Sequence, residues 1–181
     1  LDMRYNTTIQ NSKLNSKNLT AEKVVNQCSE KELADLIYKY GEERFSRRIA
    51  KTIIKEREKK PIKTTFDLVE IIKKSVPKNY EKGRIHPATR TFQSLRIYVN
   101  NELSNLSKLL TNLEKILNFK GRTIIISYHS LEDRIIKRAF RALEKEGKAE
   151  ILTKKPIRPT KEEIERNPRS RSAKLRAIVA L

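Results

Sequence analysis

The chain has 181 residues, 37% of them hydrophobic and 35% charged, with a mean hydropathy of −0.68. That length suffices to bury a core, and no stretch approaches the roughly 20 apolar residues that a membrane span requires. Forty-one Lys and Arg against 22 Asp and Glu give a net charge of +19, which favours a polyanionic partner, nucleic acid before an anionic membrane surface. Residues 6–18, rich in Asn, Ser, Thr and Lys, read as a solvated linker. Thr20 is suited to N-cap a short helix through Val24 and Val25. Ser29 and Glu32 form a capping-box pattern for a second helix that sets Leu33, Leu36, Ile37 and Tyr40 on one face, with Gly41 as its C-cap. From Glu42 to about Lys60, Phe45, Ile49 and Ile53 recur every four residues, while Arg44, Arg48, Lys51 and Lys55 make a basic stripe. A fourth helix is predicted from Thr65 to about Ser75 with Phe66, Val69 and Ile72 as its apolar face, ended by Pro77.

Pro77 to Pro87 reads as a loop between modules, and Ala88 to Asn118 as one long helical stretch with sustained apolar periodicity from Phe92 to Leu117. After a turn at Phe119–Gly121, the run Thr123–Ile126 predicts a strand buried on both faces. A helix from Leu131 to about Lys145, a strand at Glu150–Lys154, a short helix opened by Thr160 with Glu163, and a last strand at Leu175–Leu181 complete an α/β pattern. One Cys and two His are too few for a zinc or iron–sulfur site or an internal disulfide, so no metal is expected and a reducing cytoplasm fits. The N-terminus lacks the basic and apolar regions of a secretory signal. Because it begins with Leu, with the first Met at position 3, the chain is expected to be a piece of a longer protein.

Three segments are candidates for chemistry. Tyr128 to Arg134 lies where a strand meets a helix, the place where open α/β sheets gather ligands. Ser130 with His129 and Asp133 has the residue types of a nucleophilic triad, but neighbours in sequence at a strand end point in different directions. The local alternative is a cap, Ser130 as N-cap and Asp133 at N3, with His129 as an exposed imidazole that contacts a phosphate or base or packs passively. His86-Pro87 opens the long helix, where Arg90, Gln93, Arg96 and Asn100 form a row of donors suited to a phosphate or base edge, or to solvent. Asn167 to Arg176, with Arg169 and Arg171, reads as an ordered basic loop that could clamp phosphate. The four glycines, at 41, 83, 121 and 147, are too scattered for a phosphate or dinucleotide loop.

LDMR at 1–4, YGEERFSRRIA at 40–50, HPATRTFQSLRIYVNNEL at 86–103, SYHSLEDRIIKR at 127–138 and NPRSRSAKLR at 167–176 together, in this order, resemble the RsmH (MraW) family of S-adenosylmethionine-dependent methyltransferases. The resemblance implies methylation of the N4 amino group of a decoding-region cytosine in small-subunit ribosomal RNA. It also implies a Rossmann-like domain interrupted by an all-α insertion: residues 1–19 end the N-terminal half, 20–80 form the insertion, and 81–181 form the C-terminal part. The family's glycine-rich cofactor loop precedes LDMR, so this chain would be the C-terminal two-thirds, inactive alone, with S-adenosylmethionine bound mainly by sequence outside it and Arg4 on the cofactor side. His129, Ser130, Asp133 and Arg134 are expected along the substrate cleft with Arg90 and Gln93. His86, Arg96, Asn100, Arg44, Arg48, Lys51, Lys55, Arg169 and Arg171 are further expected RNA contacts. A non-catalytic RNA-binding protein derived from this fold is the competing reading, and a peripheral membrane protein is disfavoured because no Trp supplies an interfacial anchor.

Overall fold

A computed structural model of the chain describes residues 1–5, 19–80 and 85–181. The expected linker at 6–18 and part of the expected loop, residues 81–84, lie outside the described residues. The fold is α/β, and packing divides it into two units, Leu1–Glu102 and Leu103–Leu181. Among the described residues no helix is long and apolar enough to cross a membrane.

The first unit is helical: α1 (Ala21–Gln27), α2 (Glu30–Gly41), α3 (Ser46–Arg57), α4 (Thr65–Ser75) and α5 (Thr89–Val99). Local capping starts three of them. The Thr20 hydroxyl accepts from the Lys23 N–H, Ser29 and Glu32 close a capping box, and Thr64 with Asp67 closes another. α2 packs on both α3 and α5, and Val25, Leu33, Ile37, Ile49, Ile53, Leu68, Ile72 and Leu95 make the core. The expected C-cap shifts by one residue: Gly41 is the last residue of α2, and Glu42 takes the left-handed conformation, with φ 51°. Gly41 serves a close approach instead, because a Cβ there would lie 2.6 Å from the Arg90 carbonyl oxygen on α5. Phe45 and Arg44 precede α3 rather than belonging to it, and Phe45 meets the Tyr80 ring edge-on at 5.3 Å. On α4 the buried positions are Leu68, Ile71 and Ile72, and Phe66 is 80% exposed rather than part of the apolar face. Phe66 sits in the first turn of α4.

The long helix expected over 88–118 is three helices: α5, α6 (Glu102–Thr111) and α7 (Leu113–Ile116). Asn101, with φ 52°, breaks the first junction, an αL position that Asn tolerates better than most residues. α5 packs with the helical unit on α2, whereas the sequence groups it with the C-terminal part.

In the second unit, β1 (Arg122–Ser127), β2 (Ala149–Ile151) and β3 (Lys174–Ala180) form an antiparallel sheet in the order β1-β3-β2. Ile124 pairs with Ala177 and Ile125 with Arg176. α8 (Ser130–Lys145) covers one sheet face through Ile136 and Phe140, which cluster with Ile178, Ala149, Leu110 and Leu113. β1 is therefore covered on one face only. Ile124 and Ile126 are 61% and 51% exposed, contrary to the expectation of burial on both faces, because a β-branched run satisfies either environment. α9 (Lys161–Arg166) is capped by Thr160, and a 3-10 helix (Pro168–Ser172) precedes β3.

Candidate functional site

In the first unit the LDMR phrase is built into the helices. Its backbone carbonyls at Leu1 and Asp2 accept from the N–H groups of Glu22 and Ala21, which open α1. Met3 takes φ 63°, and its carbonyl accepts from the Asn100 side-chain amide at 2.8 Å. Asn100 in turn accepts the Tyr5 N–H at 2.9 Å through its Oδ1. Arg4 is bidentate on Asp2, and this hydrogen bonding holds the Asp2 carboxyl below its ordinary range.

This anchoring sets Met3 beside α4 and α5. Met3, Val69, His86, Phe92, Gln93 and Arg96 are among the residues lining an open cleft of about 540 Å³. The cleft is mostly apolar with a few polar groups, the usual composition of a small-ligand site. Three expected site residues, His86, Gln93 and Arg96, thus share one cavity. His86 accepts the Ala88 N–H on Nδ1 at 3.2 Å, inside the turn that opens α5.

Much of the donor row on α5 is engaged within the chain. Arg90 donates to the Glu42 carbonyl at 3.0 Å and Gln93 to the Tyr40 carbonyl at 3.4 Å, tying α5 to the end of α2. Arg96 forks onto Glu102, at 2.9 and 3.2 Å, and the Tyr5 hydroxyl donates to the same carboxylate. The row acts as scaffolding for the cleft.

Arg48, Lys51 and Lys55 lie exposed along α3, with Arg47 beside them. Arg44 stands apart, its guanidinium 5.0 Å from the centre of the Phe45 ring and 5.3 Å from that of Tyr80. Buried Glu43 fixes this corner, accepting from the Tyr80 hydroxyl at 2.6 Å and the Phe45 N–H at 2.8 Å. Sequence reasoning missed Glu43, since a carboxylate in a charged run carries no sign of burial.

In the second unit the strand end differs from the expected cap. His129, not Ser130, is the N-cap of α8, accepting weakly from the Glu132 N–H at 3.4 Å. Its side chain is 9% exposed, so the imidazole is packed rather than open. Ser130 is the first helical residue. Asp133 does not cap: it accepts from Arg176 at 2.6 Å and from Lys174 at 3.5 Å, both on β3. Burial raises the Asp133 carboxyl, and the Arg176 hydrogen bond and the two cations more than offset it, leaving it below its ordinary range. That commitment leaves Asp133 paired with cations instead of orienting His129, as a nucleophilic triad would need. Arg134 is exposed, as are Arg169 and Arg171, which flank buried Ser170 in the 3-10 helix.

The model of the MraW methylase family matches residues 1–181, the whole chain. The chain is 54% identical over 178 residues to ribosomal RNA small subunit methyltransferase H of Koribacter versatilis, covering 98% of this chain and 53% of that protein. The proteins of the same name from Acidobacterium capsulatum and Coprothermobacter proteolyticus are 52% and 49% identical, again over 98% of this chain and 56% of theirs. The chain therefore spans about half the length of these relatives, less than the two-thirds that the resemblance implied. With its whole length matched and these identities on either side of one half, the chain belongs to the MraW methylase family.

Proposed function

We propose that this chain is part of an S-adenosylmethionine-dependent methyltransferase that modifies the N4 of a decoding-region cytosine in small-subunit ribosomal RNA, in the cytoplasm. The observation that carries the reading is the cleft of the first unit, where the LDMR and HPATRTFQ phrases, remote in sequence, meet around one cavity. The names of the relatives supply the RNA class. A cytosine presented to such a pocket must leave its stack, and the apolar wall of Met3, Val69 and Phe92 suits an unstacked ring, with Gln93 and His86 as polar neighbours. Arg44, Arg48, Lys51 and Lys55, Arg169 with Arg171, and exposed Ser130 and Arg134 on α8 are assigned to RNA contacts, while His129 and Asp133 hold the start of α8 and Arg90, Arg96 and Asn100 act chiefly by positioning α5. Residues 20–80 form the insertion domain of this reading, and the sheet belongs to a Rossmann-like domain, a role supported by the exposed Ile124 and Ile126 on strand β1 at the sheet edge.

S-adenosylmethionine would supply the methyl group. The described residues do not fit its cradle: a Cβ on Gly41 or Gly121 would lie 2.6 or 2.7 Å from a backbone carbonyl oxygen of the chain itself, the Asp2 carboxylate is taken by Arg4, and no described glycine borders the cleft. We assign cofactor binding mainly to sequence outside this chain, with Arg4 at most at its margin.

The test is methylation of small ribosomal subunits lacking the modification by the complete gene product, with N4-methylcytidine read by mass spectrometry. Product from the wild type, reduced at least tenfold by Gln93→Ala with a melting temperature lowered by no more than about 4 °C, the share of its one long bond to Tyr40, is the expected result. RNA binding without any methyl transfer would refute the assignment and favour a non-catalytic RNA-binding protein.

A further inference from the structure

A second cavity, of about 310 Å³, lies within the second unit between α8 and β2. Lys137, Phe140 and Arg141 line it from the helix, Ile151 and Lys154 from the strand and the residues after it, and Arg176 from β3. Lys137 and Arg141 are four apart and so share one helix face, with buried Phe140 at the floor of the apolar lining. The cations around this cavity differ in state. The charge of Arg176 is met by Asp133 at 2.6 Å, and the one lining carboxylate, Glu144, accepts the Ile151 N–H at 3.2 Å. Among the described residues none pairs with Lys137, Arg141 or Lys154.

We propose that this cavity is a docking site for a backbone phosphate of an RNA strand, separate from the cleft of the first unit. Three unpaired cations converging on one concave surface raise the local potential and favour an anion there. The field also continues beyond the cavity, through exposed Arg138 and Lys145 on α8 and through Lys155 and Arg158 after it. A track of cations suits a strand that carries a charge on every nucleotide better than a single small anion. Such contacts position RNA without reading its sequence. The site rests on the RNA-substrate reading above and adds to it a phosphate contact at a cavity of the second unit, beyond the contacts assigned there to Arg134, Arg169 and Arg171.

The test measures binding of the 181-residue chain to a fluorescently labelled oligouridylate of about 12 nucleotides by anisotropy across a salt series. The variant Lys137→Gln/Arg141→Gln/Lys154→Gln is set against Lys31→Gln/Lys108→Gln/Lys115→Gln, which removes the same charge from exposed positions elsewhere. The cavity variant should bind at least tenfold more weakly than the reference variant. Its log affinity against log salt slope should flatten by about 0.7 relative to the reference variant, the share of one phosphate on a single strand. Arg141→Glu, a single exposed helix position, should lose at least threefold with an unchanged circular dichroism spectrum. Equal affinities for the two triple variants overturn the proposal, as does inorganic phosphate or polyglutamate displacing the oligonucleotide as readily as unlabelled RNA at equal charge. A wild-type chain that does not bind RNA overturns it as well. Methylation by the complete gene product is scored separately: activity with no effect of the cavity variant on binding refutes the site alone, and the expected binding effect without methyl transfer refutes the enzymatic reading alone.

Discussion

Gly41→Ala tests whether the cleft is held by the approach of α5 to α2. An added Cβ would lie 2.6 Å from the Arg90 carbonyl oxygen, 3.2 Å from its carbon and 3.4 Å from the Ser94 Cβ. Carbon–oxygen contacts are normally about 3.3 Å or longer, so one backbone must move by roughly 0.7 Å, and no rotamer change can relieve a clash with a carbonyl. Overpacking of this kind costs about 1–3 kcal/mol, whereas Ala in place of Gly in a helix returns up to about 1 kcal/mol. A net loss of about 1–2 kcal/mol lowers the melting temperature by about 4–8 °C, taking about 4 °C per kcal/mol. The same movement lengthens the bonds from Arg90 to the Glu42 carbonyl and from Gln93 to the Tyr40 carbonyl, so amide protons of α5 should exchange faster than those of α4. Scanning calorimetry with hydrogen exchange reads both effects. A melting temperature equal to or above that of the wild type would show that helix propensity outweighs the contact and that α2 and α5 are not in tight register.

Asp133→Asn should cost about 2–4 kcal/mol, since it leaves the Arg176 guanidinium, 9% exposed, without its carboxylate. Because the folded-state acidity of Asp133 lies below the ordinary value of about 3.9, its contribution is complete above that value and is lost as pH falls through the lowered one. Urea midpoints taken from pH 7 down to pH 2 should converge for wild type and variant, and a constant gap would contradict the assignment. His129→Ala should cost about 1 kcal/mol through the lost cap, and Ser130→Ala within about 0.5 kcal/mol; the opposite order in chemical denaturation would return the cap to Ser130. Glu43→Ala removes the acceptor of both Tyr80 and the Phe45 N–H and should cost about 2–3 kcal/mol, with quenching of near-ultraviolet tyrosine dichroism as the local signature; an intact tyrosine signal would show that the corner does not depend on Glu43.

The elements readable from the sequence were those whose boundaries depend on neighbours three or four residues away. Thr20, Ser29 and Thr160 each accept from the N–H three residues on, and the helices they open begin where the patterns predict. Periodicity failed where two structures share one pattern. Val99 and Leu103 keep a spacing of four across the break at Asn101, so the apolar phase runs on through a junction that the paired Asn residues alone mark. Ile124 and Ile126 would look the same in a strand with one covered face or two. Phe66 fits a three-residue repeat with Val69 and Ile72, but the core-facing side of α4 runs through Leu68, Ile71 and Ile72 and leaves Phe66 outside it.

The site was legible as residue types and illegible as partners, because donors such as Arg90 and Gln93 end on backbone carbonyls, which have no identity in a sequence. The excess of +19 points to a polyanion without saying which cations are available to it. The structure separates them by partner. Arg57 donates to the carbonyls of Val25 and Cys28, Arg90 to that of Glu42, Arg96 forks onto Glu102, and Arg176 binds Asp133. These are guanidiniums used for fixed, multiple hydrogen bonds, where a rigid planar fork loses less freedom than a lysine stem. The cations left open along α3 and at the second cavity are of both kinds, exposed Arg48, Lys51 and Lys55 on α3 and half-buried Lys137 with exposed Arg141 and Lys154 at the cavity, and they suit a backbone that offers phosphates at variable positions. Replacing the first group should therefore act on RNA through stability, for Arg90 and Arg96 also through cleft shape, and replacing the second through the salt dependence of binding with the fold intact.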